Sequence, residues 1–230
     1  DKLGRVQVRF FWQDQDAASN WMRVQTPGAG TSAVIEKNRG FWFVPEIGDQ
    51  VMVAFEQGDP SRPFVAGSLF HMNNTSGMVA DNNIKAITTR SGHTIEFDDT
   101  DGAEKITIYD KEQSVIQFNT AEKSIKIQAM ENVEIGAKNI KLVAEENLDF
   151  GAAKNITMAA EEALSLQSGK DTGIKAKGAA TVEATKDLTL NGQNFTAEGK
   201  QNAEVKGGVQ TSISGTMTSV QGGGGKVEVM

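Results

Sequence analysis

Cysteine is absent from this 230-residue chain. That excludes a disulfide framework, a thiolate metal site and a cysteine nucleophile. Histidine occurs only at His71 and His93, and tyrosine only at Tyr109. No run of about 18 apolar residues occurs, so no transmembrane helix is expected. The opening residues lack the pattern of a signal peptide, so none is expected. Its first residues, DKLGRVQVRF, already read as a strand, so a piece of a longer protein is expected. A basic excess is lacking too: 23 Lys and Arg stand against 30 Asp and Glu, for a net charge of -7. This argues against nucleic acid as a partner, which favours a clustered basic surface.

What aromatic mass there is lies at one end. Residues 1–72 hold all three tryptophans, all four prolines and seven of the eleven phenylalanines. This part can form a compact core, and it reads as all-β. RVQVRFF alternates at period two, and WMRVQT (Trp21 to Thr26) is a second strand. Three more follow at Phe41 to Val44, Gln50 to Phe55 and Pro63 to Leu69. They are separated by the turn compositions EIGD and QGDPSRP. Five short strands in about 70 residues predict a small barrel. Trp12, Trp21, Trp42, Phe43, Phe55 and Phe64 are assigned to core or interface. Base stacking would want them interleaved with Lys and Arg, and this part has seven basic residues against eight acidic.

The remainder is a repeat. Apolar pairs recur at Ile106/Ile108, Ile116/Phe118, Ile125/Ile127, Val133/Ile135, Ile140/Leu142, Leu148/Phe150, Ile156/Met158 and Leu164/Leu166. From Ile125 to Leu164 the steps are 8, 7, 8, 8 and 8. The pattern loosens at Ile174/Ala176 and Val182/Ala184, then resumes at Leu188/Leu190, Phe195/Ala197, Ala203/Val205 and Thr211/Ile213. Each unit reads as a short strand with two side chains inward and one outward, followed by a polar corner. Spacing by two and β-branching reject helices, and internal repetition outranks local propensity.

One such unit buries two side chains, worth a few kcal/mol at about 25 cal/mol per Å². Ordering costs roughly 1 to 2 kcal/mol per residue. The strands must therefore stack. A single chain can coil on itself, or three chains can wind together with the apolar pairs on a common axis. The exterior carries Lys and Glu of alternating sign, including Glu131, Glu134, Lys138, Lys141, Glu145 and Glu146. This is read as a solvated face that prevents lateral aggregation. The last segment, GGVQTSISGTMTSVQGGGGKVEVM, permits a narrower section. Gly222, Gly223, Gly224 and Gly225 read as a turn before the final strand with Val227 and Val229.

No catalytic set, cofactor site or metal site is assigned. His93 sits in RSGHTIEFDDTDG with Asp98, Asp99 and Asp101, which reads as a tight turn. DDTDG lacks the spacing of an EF-hand. Asp49 and Glu56 are an ordinary carboxylate pair, and GAGTSA lacks the lysine of a phosphate loop.

The stretches GRVQVRFFW, NWMRVQTPGAG and GFWFVPEIGDQVMVAFEQGDPSRPFVAGSLF resemble the small barrel of the VgrG spike proteins of type VI secretion. IKAITTRSGHTIEFDDTDGAEKITIYDK is similar to the stretch leading that barrel into its needle, and the octads resemble the needle itself. Phage baseplate spikes share the plan. The resemblance implies an all-β homotrimer: an oligonucleotide/oligosaccharide-binding (OB) type barrel at 1–72, a transition at 73–110, and a triple-stranded β-helix needle with its tip at 111–230. Ile127, Ile135, Leu142, Phe150, Met158 and Leu166 would pack on the trimer axis. It further implies a structural protein that is no enzyme and needs no cofactor. Its partners would be an Hcp-type tube through an N-terminal hub, a PAAR-type tip protein, effectors and, briefly, a target membrane. Assembly in the bacterial cytoplasm would precede ejection by sheath contraction. A tailspike or cell-wall polysaccharide hydrolase on a β-helix scaffold is the alternative. A monomeric β-helix adhesin and a single-stranded nucleic-acid binder are further rivals.

Overall fold

The computed structural model describes residues 1–14, 17–75, 77 and 81–220. The chain divides into two units, Asp1–Glu146 and Asn147–Met230.

In the first unit, the opening 72 residues form five strands: β1 (Arg23–Val24), β2 (Ala29–Gly30), β3 (Arg39–Gly40), β4 (Gln50–Phe55) and β5 (Pro63–Leu69). β4 and β5 pair antiparallel, and β1 joins the other edge of β5 in parallel, giving the order β1-β5-β4. A bulge between Met52 and Val53 leaves Ala66 unopposed. The hairpin is closed by Gln57 and Gly58 at positive φ. Asp59 caps the turn by accepting from the backbone N–H and hydroxyl of Ser61, at 2.9 and 2.8 Å. Val65, at the centre of this sheet, is fully buried, and Met22 nearly so.

β4 and β5 have the bounds that their alternation predicts. Other elements differ. RVQVRFF pairs as a strand only at a bridge between Val6 and Met22, with Val8 bonded to Ser19 beyond it, and WMRVQT is a strand only over Arg23–Val24. Phe41 to Val44 joins no ladder. Pro45 follows it, and proline has no backbone N–H to give to a ladder. Between the second and third expected strands lies a two-stranded ribbon of β2 and β3. Gly40 sits there at φ 140 against the Gly28 carbonyl, where a Cβ would collide.

A second sheet follows. β6 (Ile84–Thr88), β7 (Thr94–Asp98), β8 (Lys105–Tyr109), β9 (Val115–Asn119) and β10 (Ser124–Gln128) form an antiparallel meander in sequential order. It runs across residue 110, where the change from transition to needle was expected. Each hairpin is closed by a polar residue that bonds the turn backbone. Asp98 accepts from the N–H and hydroxyl of Thr100 at 3.0 and 2.6 Å. Asp110 accepts from the N–H of Glu112 and Ser114 at 2.9 and 2.8 Å. Asn119 accepts from that of Glu122 at 3.0 Å.

The register aligns one face of the meander in rows. Ile87, Ile95, Ile108, Ile116 and Ile127 stand opposite one another, strand by strand. Phe97, Ile106, Phe118 and Ile125 form the next row. These nine side chains share one face because strand side chains alternate. Of the three pairs from Ile106 to Ile127, the first was expected in the transition and the other two in the octad needle. They are instead hairpin strands, spaced by 10 and 9 residues, because Asx-type turns reverse the chain between them.

After Gln128 the chain changes character. Among the described residues from 129 to 220, no strand forms, and no backbone–backbone hydrogen bond is made within the chain. The chain is extended between bends at 130/131, 138, 145/146, 153/154, 161/162, 169/170, 177/178, 185/186, 193, 200/201, 208/209 and 216/217. The spacing is seven or eight residues throughout. It continues without interruption across 169–184, where the sequence pattern loosens. In phase with the bends, the pairs there are Thr172/Ile174 and Ala180/Val182, two residues earlier than Ile174/Ala176 and Val182/Ala184. Small side chains at the first position disguise an unbroken repeat.

Candidate functional site

An extended chain with regular bends has two free backbone edges. Each N–H and C=O is a strong hydrogen-bonding group that must find a partner when buried. The side chains compound the demand. In the first unit, Ile135 and Leu142 lie between bends and are 70% and 60% exposed. In the second unit, Phe150, Met158 and Leu166 hold the corresponding positions and are 60%, 56% and 77% exposed. Ile127 is placed differently. It ends the isoleucine row of the meander, on β10 opposite Ile116. The expected tip residues Gly222, Gly223, Gly224, Gly225, Val227 and Val229 lie outside the described residues.

The corners are polar and exposed. Asn follows the bend at Asn132, Asn139, Asn147 and Asn155, a residue that bonds turn backbone readily. The acidic and basic side chains from Glu131 to Lys170 make no ion pair within the chain among the described residues. The arrangement offers apolar surface at a fixed interval, open backbone edges, and charge at the corners. Such an arrangement can pair with further strands.

The first 72 residues hold the other candidates. One groove is lined by Phe10, Trp12, Trp21, Arg23, Glu56 and Arg62. Phe10 and Trp12 stack with ring centroids 4.6 Å apart. Glu56 is shared between Arg23 and Arg62, the latter at 2.9 Å, so its carboxylate is engaged structurally. A second groove runs beside the β2–β3 ribbon along Phe41 to Val44. Trp42 Nε1 donates to the Asn38 carbonyl at 3.1 Å.

His93 sits in the β6–β7 turn, where its backbone N–H donates to Thr89 Oγ1 at 3.2 Å. Asp98 and Asp99 do not converge on it. Asp98 serves Thr100 and Lys105, and Asp99 pairs with Lys85 at 2.8 Å. The Thr100 hydroxyl, then its N–H, hold the Asp98 carboxyl below the usual range, with Lys105 adding to the effect. The Ser61 backbone and then its hydroxyl do the same for Asp59. No group of three or more His, Asp or Glu that could hold a metal occurs among the described residues. The sequence reading missed the alignment of the meander face. Its signal was the 9- and 10-residue spacing, which fits hairpins better than octads.

Comparison with known proteins finds similarity over part of the chain. The family of the type VI secretion system/phage-baseplate injector OB domain matches residues 1–70. The spike protein VgrG1b of Pseudomonas aeruginosa is 31% identical over 137 residues, covering 53% of this chain and 18% of that protein. VgrG1a of the same organism is 32% identical over 141 residues, covering 54% and 21%. The actin cross-linking toxin VgrG1 of Vibrio cholerae is 29% identical over 120 residues, covering 47% and 10%. The chain thus spans about a fifth or less of the length of these curated relatives.

Proposed function

We propose that the chain belongs to the VgrG family of type VI secretion spike proteins, supported by the match at residues 1–70 and the similarity to the Pseudomonas spike proteins, and that it forms the collar and needle of a homotrimeric spike that punctures target envelopes and carries effectors. Residues 1–72 supply the OB-type collar, 73–110 begin the needle and 111–230 complete it. The needle is an intertwined triple-stranded β-helix. A hub joins it to an Hcp-type tube, and its tip receives a PAAR-type protein. The spike assembles in the cytoplasm and leaves when the sheath contracts.

One observation carries this reading: the run from 129 to 220 bends every seven or eight residues, bares its apolar pairs and bonds none of its own backbone. Three copies remove all three costs together. Each chain crosses one face of a triangular prism per octad, so neighbouring strands come from different copies and satisfy each other's edges. The apolar pairs meet on the axis. The meander face, with its two aligned apolar rows, is closed by the same threefold packing. Interchain ladders and a dry axis give the stiffness a spike needs.

The role is structural. Glu56, Asp59 and Asp98 are engaged in ion pairs and turns, and the activity in the name of the Vibrio relative is not carried to this chain. The test is release of the tube protein from cells that make this chain, with residues 147–220 deleted from it. Release stops if those residues are the needle. Undiminished release, with turnover of cell-wall or capsule polymer by the purified chain, would replace the spike by a hydrolase.

A further inference from the structure

The bends expose a charge pattern that the repeat does not require. The corners from 131 to 170 carry, in order, Glu131, Lys138, Glu145 with Glu146, Lys154, Glu161 with Glu162, and Lys170. The sign reverses at every step. A second column repeats the rule independently. The residue between the two apolar members is Glu134, then Lys141, then Asp149, and the column ends at the uncharged Thr157 and Ser165. All these side chains are exposed and have no ion partner within the chain among the described residues. Solubility alone asks for mixed charge, but not for reversal every octad in two columns at once.

We propose that this alternation is a register code between copies of the chain, in which each octad pairs with the next octad of a neighbouring copy through a ladder of opposite charges. The inference rests on the trimeric reading above. In a threefold prism, the three copies of one octad lie at one level on three different faces. The strand stacked on each is therefore the following octad of another copy. Stacked strands lie about 4.8 Å apart, so Glu146 of one copy meets Lys154 of the next, which meets Glu162 of the third. Opposite charges at such cross-strand positions stabilise, and like charges destabilise. A stagger of zero or two octads would stack Glu on Glu and Lys on Lys along every edge. The apolar pairs cannot make this distinction, because they are nearly the same in every octad. Charge is what separates the correct stagger from its even-numbered neighbours. The code ends at Lys170, since the next corner carries Lys177.

The experiment uses the full chain and three variants. Lys154→Glu places like charges above and below on all three edges. Lys154→Gln removes the attraction without adding repulsion. The third inverts every corner sign at once: Glu131, Glu145, Glu146, Glu161 and Glu162 to Lys, with Lys138, Lys154 and Lys170 to Glu. Molar mass is read by light scattering and stability by the melting midpoint, in ~10 mM and ~1 M salt, where the screening length falls from about 30 to about 3 Å. In low salt, Lys154→Glu melts below Lys154→Gln, which melts below the parent. The gaps close in high salt, and the fully inverted chain melts with the parent. The ladder is overturned if Lys154→Glu melts no lower than Lys154→Gln, if the gap survives high salt, or if the inverted chain is as weak as Lys154→Glu. A monomeric parent overturns the trimer itself, and the ladder with it. A trimeric parent with unmoved midpoints overturns the ladder alone.

Discussion

Replacing Phe150 with alanine tests the axis quantitatively. In the isolated chain Phe150 is 60% exposed. A phenylalanine buries about 200 Å², so about 120 Å² remains for partner copies to cover. At about 25 cal/mol per Å² this is about 3 kcal/mol per chain, or about 9 kcal/mol for the three rings of a trimer. That agrees with the low end of the about 3 to 5 kcal/mol usual for Phe→Ala in a core. A loss of about 9 kcal/mol lowers the trimer association constant by about six powers of ten. Sedimentation equilibrium over a dilution series reads this directly, with the Phe150→Ala curve dissociating at far higher concentration than the parent. Leu142→Asp with Phe150→Asp goes further and prevents assembly, since each change sets three carboxylates on the axis. Superimposable dissociation curves for parent and Phe150→Ala would refute the reasoning. An exposed ring on a solvated chain contributes nothing to association.

Three further outcomes concern the first unit. Val65→Ala removes two buried carbons from the centre of β1-β5-β4 and costs about 2 kcal/mol in urea unfolding of that unit. Gly40→Ala meets both a positive φ and the Gly28 carbonyl. It opens the β2–β3 ribbon, so exchange of the Phe41 amide, bonded to Gly28 O at 2.9 Å, accelerates while β4 and β5 stay protected. Asp98 titrates below the ordinary carboxylate range because Thr100 bonds its charged form. The stability it contributes is complete above its unfolded value and is lost as pH falls through the depressed folded value. In Thr100→Val the Asp98 carboxyl titrates higher by NMR and the acid loss shrinks.

Local alternation sufficed for β4 and β5, where apolar and turn residues agree to the residue. It failed where strand character depends on a partner. Phe41 to Val44 has strand composition but no ladder, and RVQVRFF makes one bridge at Val6. The pairs from Ile106 to Ile127 have octad-like composition. Their 9- and 10-residue spacing, and the turn bonds of Asp110 and Asn119, mark that the chain reverses there. The opposite error occurred at Thr172 and Ala180. A period set by backbone bends persists when the side chains that advertise it are small, so the sequence looked irregular where the chain is regular. Of the candidate axis residues, five lie on the bent run and Ile127 lies on the meander.

The most direct test of the account is the molar mass of the intact chain in dilute solution, by light scattering behind a sizing column. Three times the 24.7 kDa of one chain, eluting as an elongated particle, is the predicted result. A mass of 24.7 kDa from a folded, elongated particle would contradict it, and would mean that the octads coil on themselves.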